Sequence, residues 1–385
     1  MDLSFSGVTV IYGRPGTGKT ALAMRIAFER SLKGEKVLWV SLNEDKETFL
    51  KNASALGYDL REMAFWDVIF VKADAMMNQI ISTVTQEDYH LIVIDTVSAL
   101  LGGLVPPPTG VFLPREFLVN AIYRVFKPAN IDLIAIAEEE SVTPLDYIAD
   151  NLIRLEMTTE DRITERRLYV LKSRGRRAGF YVEFDILEGQ GIVFIDELPR
   201  PSPKGRWEAW VDAISQAVGP LKGGNSYLFI GRSLTPILAK AAAELSQQGR
   251  KVLYRSFKHD REELSSLIQK HGGKAVVQKV TPRPHSNFLH MKDLYDALSN
   301  TDADVVISDL ADAEFHLYGM KALEINMREM GELKELGIAT IISSERGWGL
   351  EMAADVVLRR VKNHMAVDSI TGRKICELEP TRLLC

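Results

Sequence analysis

The sequence predicts an α/β protein of two tandem domains, each a mostly parallel sheet flanked by helices and extended at one edge by antiparallel hairpins. The first half of the 385-residue chain alternates short β-branched runs with amphipathic stretches of helical length, as parallel sheets covered by helices require. Closely spaced strands follow from residue 149, which is typical of hairpins. The second half repeats this order of segments.

Five apolar runs of the first half predict buried strands, and two segments with apolar residues at helical spacing predict helices. The strands are expected at residues 7–12, 36–42, 68–72, 91–95 and 132–136. The helices are expected at residues 20–31 and 49–56. Because strands and helices alternate, the carboxyl ends of the strands should gather at one rim of the sheet, where ligands of such folds bind.

The junction between the two halves is rich in proline and charge at residues 196–206, which predicts a linker. Apolar residues beyond it recur at helical spacing and predict one amphipathic helix. They are Trp207, Trp210, Val211, Ile214 and Val218. We therefore place a first domain at residues 1–198, a linker and helix at 199–219, and a second domain at 220–385.

Five segments of the second half match segments of the first half in the same order. They are residues 225–232 with 7–14, 241–256 with 27–41, 302–313 with 88–99, 337–345 with 130–138, and 353–360 with 148–155. Any two parallel α/β domains look alike at this level, which is the alternative explanation. The preserved order favours an internal duplication.

The composition is that of an ordinary globular protein with a net charge of −5, which does not suggest nucleic-acid binding but leaves room for a local basic face. The two cysteines, Cys376 and Cys385, predict neither a disulfide framework nor a metal-binding pair. The first residues lack a signal-peptide pattern, and no apolar run is long enough to span a bilayer. We expect a cytoplasmic, reducing environment and no membrane partner.

A phosphate-binding loop is predicted directly after the first strand. The residues fit the pattern GxxxxGK[ST] and are Gly13, Arg14, Pro15, Gly16, Thr17, Gly18, Lys19 and Thr20. The glycines keep side chains out of the phosphate path, and backbone N–H groups at the helix N-terminus then face the anion. Lys19 is expected to reach the β- and γ-phosphates. A glycine-rich turn that binds nothing is the alternative.

A magnesium site is predicted beside this loop. The strand at residues 91–95 ends in Asp95, which places a carboxylate at the carboxyl rim of the sheet. With the loop in front of it, Asp95 is expected to hold Mg²⁺ or its water, together with the hydroxyl of Thr20. The expected ligands of the domain are therefore ATP and Mg²⁺.

A carboxylate that polarises the attacking water is also expected at this rim. Glu44 and Asp45 follow the second strand, and we select Glu44 as the catalytic base. The alternative is a helix N-cap cluster, because Asn43, Asp45 and Glu47 suit the start of a helix.

Together these residues resemble the RecA superfamily of ATPases, in particular the branch of KaiC and archaeal RadA-like proteins. The similarity is most specific at residues 37–60, 144–156 and 166–175. This resemblance implies a Lys-x-Arg on a late hairpin that reaches the γ-phosphate of a neighbouring subunit, and Lys172 and Arg174 match it. Catalysis would then need a homo-oligomer. The alternative is a solvated basic hairpin.

The sequence departs from the family pattern at several places. The acidic pair after the second strand is reduced to Glu44, and Ala137-Glu138-Glu139 replaces the usual hydroxyl-rich sensor. The second half keeps Asp309 and a Ser-Ser-Glu sensor ending at Glu345, but residues 231–236 lack the lysine, the glycines and the magnesium-binding hydroxyl. We therefore expect a degenerate second domain that binds ATP weakly or not at all. In that domain, Glu379 stands near the position where the resemblance would place the lysine of the Lys-x-Arg.

These observations imply a slow, oligomeric, KaiC-like regulatory ATPase. Three alternatives stay open: a RadA-like recombinase paralogue that binds DNA, a nucleotide sensor that does not hydrolyse ATP, and a small-molecule kinase. The loop at residues 101–111 carries prolines and no lysine or arginine, so we expect it to dock a protein partner in preference to DNA.

Overall fold

The computed structural model describes residues 3–68, 86–97, 125–138, 144–160, 162–281, 286–370 and 372–385, with a few residues between 79 and 83. The chain forms two compact units. The first comprises Met1–Thr158 and Glu165–Leu198, and the second comprises Thr159–Thr164 and Pro199–Cys385. The predicted loop at residues 101–111 and Glu139 lie outside the described residues.

The first unit contains a nine-stranded sheet in the order β3-β2-β4-β5-β1-β6-β7-β8-β9. Its strands are β1 Val8–Tyr12, β2 Val37–Ser41, β3 Ala64–Asp67, β4 Leu91–Asp95, β5 Asp132–Ala137, β6 Asn151–Glu160, β7 Ile163–Ser173, β8 Phe180–Leu187 and β9 Gly191–Phe194. The strands from β3 to β6 pair in parallel, and β7, β8 and β9 pair antiparallel. This is the predicted parallel sheet with an edge of hairpins.

Helices α1 Lys19–Leu32, α2 Lys46–Ala55 and α3 Pro144–Ile148 belong to this unit. The face of α1 that carries Leu22, Ala23, Ile26 and Ala27 is fully buried against the sheet, because these residues recur at helical spacing. Both faces of β2 and β4 are buried, which explains why these strands read as continuous apolar runs. The core therefore holds the carboxyl ends of β1, β2 and β4 at one rim.

The second unit contains a nine-stranded sheet in the order β14-β13-β15-β16-β12-β17-β18-β19-β20. Its strands are β12 Ser226–Ile230, β13 Val252–Ser256, β14 Val276–Lys279, β15 Val305–Ser308, β16 Ala339–Ser344, β17 Val356–Val361, β18 His364–Ser369, β19 Gly372–Leu378 and β20 Leu383–Leu384. A separate short ribbon pairs β10 Glu208–Ala209 with β11 Leu221–Lys222. Strand for strand, this order repeats that of the first sheet.

Helices flank the sheet of the second unit, as they do in the first unit. They are α4 Ser215–Val218, α5 Thr235–Gln247, α6 Arg261–Lys270, α7 Asn287–Thr301, α8 Ala311–Tyr318 and α9 Lys321–Glu335. Helix α5 follows β12 as α1 follows β1, and α6 follows β13 as α2 follows β2. The predicted fold class, two tandem RecA-like α/β domains, is confirmed.

The amphipathic helix predicted across residues 206–218 is wrong. The segment runs through strand β10 and a turn before the four-residue α4, and Trp210 is 53% exposed although Trp207 is buried. Pairing of β10 with β11 uses the backbone groups that a helix would need. Residues expected to form the linker pack within the second unit, where the N–H of Lys204 donates to the Leu336 carbonyl at 2.7 Å.

Two smaller expectations also change. The strand predicted at residues 68–72 is found earlier, at β3, where Phe65 and Trp66 pair with β2, while residues 69–72 lie outside the described chain. The two cysteines, for which no disulfide framework was expected, form one disulfide. Pairing of β19 with β20 brings Cys376 and Cys385 opposite each other, with their Cα atoms 4.3 Å apart.

None of the helices in the described parts of the chain has both the length and the apolar character that crossing a membrane requires.

Candidate functional site

The predicted phosphate-binding loop lies between β1 and α1, at the carboxyl rim of the first sheet. Gly18 adopts the left-handed conformation with φ of 105° and serves as the N-cap of α1, with no side-chain cap among the described residues. A Cβ atom at Gly13 would lie 2.3 Å from the carbonyl oxygen of Leu155. These two positions therefore require glycine, and the first N–H groups of α1 are left for an anion.

Lys19 is buried and turns back across the loop. Its Nζ donates to the carbonyl oxygens of Gly13 at 2.8 Å and Arg14 at 3.1 Å, while the Thr17 hydroxyl also donates to Arg14 at 2.9 Å. Burial lowers the pKa of the Lys19 ammonium, and the charges of Glu138 and Asp95 oppose that change. The ammonium is thus held inside the loop by weak acceptors that a phosphate could replace.

Thr20 and Asp95 meet at the same rim. The Thr20 hydroxyl donates to Asp95 Oδ2 at 2.8 Å, across the 75 residues that separate them in the chain. Burial raises the pKa of Asp95 to about 6; the Thr20 hydrogen bond lowers it, and the charge of Glu44 raises it further. Hydroxyl and carboxylate oxygens beside a phosphate loop are the donor set that Mg²⁺ prefers, so the residues fit this cation.

Glu44 reaches this rim because β2 lies next to β4, with Ser41 opposite Asp95. Three residues beyond β2, its backbone N–H donates to the Ser41 hydroxyl at 3.1 Å, and that hydroxyl donates to the Glu44 carbonyl at 2.6 Å. Glu44 Oε2 accepts a hydrogen bond from Asn52 Nδ2 at 3.0 Å. Burial raises the pKa of Glu44, and the Asn52 bond opposes that rise.

The helix cap that was weighed against a catalytic role belongs to the neighbouring residue. Asp45 is the N-cap of α2, and its Oδ1 accepts from the Thr48 N–H at 2.9 Å. The Glu44 side chain is therefore not used as the helix cap. Its negative charge contributes to the raised pKa of Asp95. Asn52, two turns into α2, was missed by the sequence analysis; its position seven residues after the cap, on the same helix face, was the available signal.

Lys172 and Arg174 are not brought to this rim. The Arg174 guanidinium lies 3.1 Å from Asp150, and Oδ2 of Asp150 accepts from the N–H of Val8, the first residue of β1. Lys172 Nζ donates to the carbonyl of Asp146 at 3.0 Å. The phosphate loop leaves the other end of β1, which is about 15 Å away at the rise of a strand. Arg174 is therefore too far from the loop of its own chain to serve it in this arrangement.

The second unit places different side chains at the corresponding rim. Thr20 and Thr235 each precede by 21 residues the serine that ends the next strand, Ser41 or Ser256. Thr235 therefore stands where Thr20 stands, at the first turn of its helix. The expectation that this hydroxyl had been lost is wrong, because the loop before it is shortened while the helix register is kept.

His259 occupies the position of Glu44 in this second rim. Its N–H donates to the Ser256 hydroxyl at 3.0 Å, which repeats the bond from Glu44 to Ser41. Its ring Nε2 lies 3.1 Å from the Thr235 hydroxyl. Asp309 accepts from the Ser256 hydroxyl at 2.7 Å and from the Phe257 N–H at 2.6 Å. The oxygens that would face a cation are thus engaged by the unit itself.

Comparisons with known proteins agree with this geometry. The family model described as "ATPase: KaiC" matches residues 4–198, which is half of the chain. DNA repair protein RadA from Campylobacter jejuni is 22% identical over 195 residues, 50% of this chain and 42% of that protein. Circadian clock protein KaiC2 from Synechocystis sp. is 26% identical over 201 residues, 49% of this chain and 35% of that protein.

A UPF0273 protein from Aeropyrum pernix is 24% identical over 218 residues, which are 50% of this chain and 87% of that protein. The chain spans less than half the length of the RadA and KaiC2 proteins that it matches. The matched family segment coincides with the unit that holds the phosphate loop, Lys19, Thr20 and Asp95. This chain therefore belongs to the KaiC family of ATPases, within the RecA superfamily.

Proposed function

We propose that this protein is a slow, oligomeric regulatory ATPase that hydrolyses ATP to ADP and phosphate in its first unit. The observation that carries the proposal is the convergence of Lys19, Thr20, Asp95 and Glu44 at one sheet rim, from three separate chain segments. A cation, a hydroxyl–carboxylate pair and a second carboxylate are the groups that phosphoryl transfer to water needs.

The loop would bind the triphosphate through the N–H groups at the start of α1, and Lys19 would exchange its bonds with loop carbonyls for bonds with phosphate oxygens. Thr20 and Asp95 would hold Mg²⁺, which supplies charge neutralisation when bound. The pKa of Asp95, about 6, leaves it mostly ionised at neutral pH, as a metal ligand must be.

Glu44 would accept the proton of the attacking water. The raised pKa of this half-buried carboxyl strengthens it as a base. Lys172 and Arg174 would complete the site of a neighbouring subunit, because Arg174 lies at the opposite end of β1 from its own loop and Lys172 bonds to the Asp146 carbonyl. We expect slow turnover because the attacking water in one subunit and the cations of its neighbour come together only in the assembled oligomer.

The second unit would serve assembly or transmit the nucleotide state. Its shortened loop has no counterpart of Lys19, and Asp309 is engaged by Ser256 and Phe257. These features support a degenerate nucleotide site in a domain that keeps its fold. A protein partner is part of the proposal, because a regulatory ATPase needs a target for its two states.

Phosphate release and ATP affinity should be measured together for the wild type, Lys19→Ala and Glu44→Gln. We expect Lys19→Ala to lose more than about tenfold in ATP affinity. Glu44→Gln should keep the affinity but lose roughly 100-fold or more in turnover. Lys33→Ala removes the same charge at the far end of α1 and should behave as wild type.

Three results would decide between this proposal and its alternatives. Unchanged ATP affinity in Lys19→Ala would contradict the site assignment. Tight ATP binding without phosphate release from the assembled oligomer would support a nucleotide sensor. Salt-dependent binding of single-stranded DNA that accelerates hydrolysis would support a recombinase paralogue.

A further inference from the structure

Among the described residues, the side chain that holds the Glu44 carboxylate is Asn52, which belongs to no sequence motif at the rim. Asn52 Nδ2 donates to Glu44 Oε2 at 3.0 Å, from a position two turns along α2. A glutamate has three side-chain torsions, so a carboxylate without a fixed partner samples several orientations. The side-chain amide of Asn52 donates to Oε2 from the side of α2, so Oε1 can turn toward a water at the rim.

The backbone on both sides of this contact is also held. Ser41 exchanges two hydrogen bonds with the main chain of Glu44, and Asp45 caps α2 through Thr48. The hydrogen bond between Glu44 and Asn52 therefore joins two residues of one rigid segment that begins at β2. The distance between these two residues is set by helix α2 and not by a mobile loop.

The second unit provides an internal comparison. There the same cap position is Asp260, and the residue before it is His259 in place of Glu44. Seven residues after the cap, the position of Asn52 is taken by Leu267, which packs against the apolar core. The unit without the glutamate thus also lacks the amide, although the aspartate at the N-cap position, the helix and the strand are retained.

We propose that Asn52 is a positioning residue that orients the Glu44 carboxylate toward the attacking water. This inference rests on the proposed function, since it assumes that Glu44 is the base. Among the described residues, the Asn52 side chain donates its hydrogen bond to Oε2 of Glu44 and not to a residue of the phosphate loop. It acts on the chemical step through Glu44 and leaves the binding of ATP to the loop.

The test compares Asn52→Ala and Asn52→Asp with wild type in phosphate release. Alanine removes the amide and is a better helix former than asparagine, so the fold of α2 is retained. Aspartate keeps the shape but removes the donor and adds a like charge beside Glu44. We expect kcat to fall roughly fivefold to tenfold in Asn52→Ala and further in Asn52→Asp, with KM for ATP unchanged in both.

The control is Ser54→Ala, an exposed substitution on the same helix, which should leave kcat and KM as in wild type. A double-mutant cycle provides the specific readout: Asn52→Ala should have no further effect in a Glu44→Gln background. A merely structural role for Asn52 would lower both backgrounds equally. Wild-type kcat in both Asn52 variants, or an equal loss in the Glu44→Gln background, would overturn the inference.

A second readout separates this inference from the proposed function. The side-chain amide resonances of Asn52 should move when Glu44 is replaced by alanine, and should not move in Lys46→Ala, whose exposed side chain starts the same helix. Displaced amide signals together with an absence of ATP hydrolysis in wild type would contradict the proposed function while leaving the contact in place. Hydrolysis with unmoved amide signals would contradict the contact and leave the proposed function standing.

Discussion

At the scale of single residues, the buried carboxylate of Asp95 destabilises the folded, nucleotide-free protein when it is ionised. Asp95 is 5% exposed, and burial raises its pKa to about 6. An acid whose pKa is higher in the folded than in the unfolded chain binds more protons when folded. Its contribution to the free energy of unfolding therefore falls as pH rises from about 4 to about 6.

This sign leads to a prediction for Asp95→Asn. At pH 7 the variant should raise the free energy of unfolding of the nucleotide-free protein by about 1–2 kcal/mol, because it removes a buried charge. It should lose the magnesium-dependent part of ATP affinity at the same time. Chemical unfolding and nucleotide titrations with and without Mg²⁺ measure the two effects. The exposed Asp88→Asn is the control, and a loss of stability in Asp95→Asn would contradict the argument.

At the scale of elements, helices α7 and α9 are joined to β13 by buried charges. Arg255 of β13 lies 3.2 Å from Glu329 of α9, and Glu329 lies 2.7 Å from the ring Nε2 of His290 on α7. Arg255 stands where β2 of the first unit has Val40, since each precedes the last serine of its strand. Helix α7 begins at Asn287, and His290 in its first turn is buried.

Protonation stabilises this cluster below neutral pH. Burial lowers the pKa of His290, but the Glu329 carboxylate outweighs burial, so the pKa is raised overall. Burial raises the pKa of Glu329, but the charges of His290 and Arg255 outweigh burial and lower this pKa to about 2. The His290 contribution is therefore complete below its unfolded pKa and is lost as pH rises through its folded value. Burial also raises the pKa of nearby Glu314, so its contribution to the free energy of unfolding, like that of His290, falls as pH rises.

Breaking the cluster should destabilise the second unit. Glu329→Gln leaves Arg255 and His290 without their carboxylate, so the free energy of unfolding should fall by about 3 kcal/mol near pH 6. The loss should be smaller above the folded pKa of His290, where the ring is neutral. Glu324→Gln, on the exposed side of the same helix, should change stability by no more than about 0.5 kcal/mol. Equal effects of the two variants in chemical unfolding would show that the cluster is not what holds α9.

At the scale of the whole molecule, the proposed site is incomplete within one chain. Arg174 lies at the start of β1, the opposite end of that strand from the loop, so the shared site that we propose needs a second copy. Arg174→Ala alone and Lys19→Ala alone should each reduce phosphate release by roughly 100-fold or more.

Mixing these two variants should restore part of the activity. In a mixed oligomer, a subunit with an intact loop can receive Arg174 from a neighbour whose own loop is defective. Phosphate release should then rise well above that of either variant alone, and size measurements with ATP should detect the assembly. If the mixture forms oligomers but stays as inactive as its components, the cations do not act between subunits.

Much of this fold follows from sequence patterns. Continuous apolar runs identified β1, β2, β4 and β5, because strands buried on both faces carry apolar residues throughout. The phosphate loop was identified because its glycines, lysine and threonine are consecutive residues. The helix predicted at residues 206–218 failed because the pairing of β10 with β11 outweighed an apolar pattern of helical spacing.

The sequence by itself determined the fold class, the loop and the candidate roles of Lys19, Thr20, Asp95 and Glu44, since these depend on local spacing and on strand ends. Only the tertiary structure decided what those side chains touch. It joined Thr20 to Asp95 and Glu44 to Asn52, identified Thr235 as the counterpart of Thr20, and put Arg174 at the far end of β1. The physical reason is that strand order and helix register bring together residues that are distant in the chain.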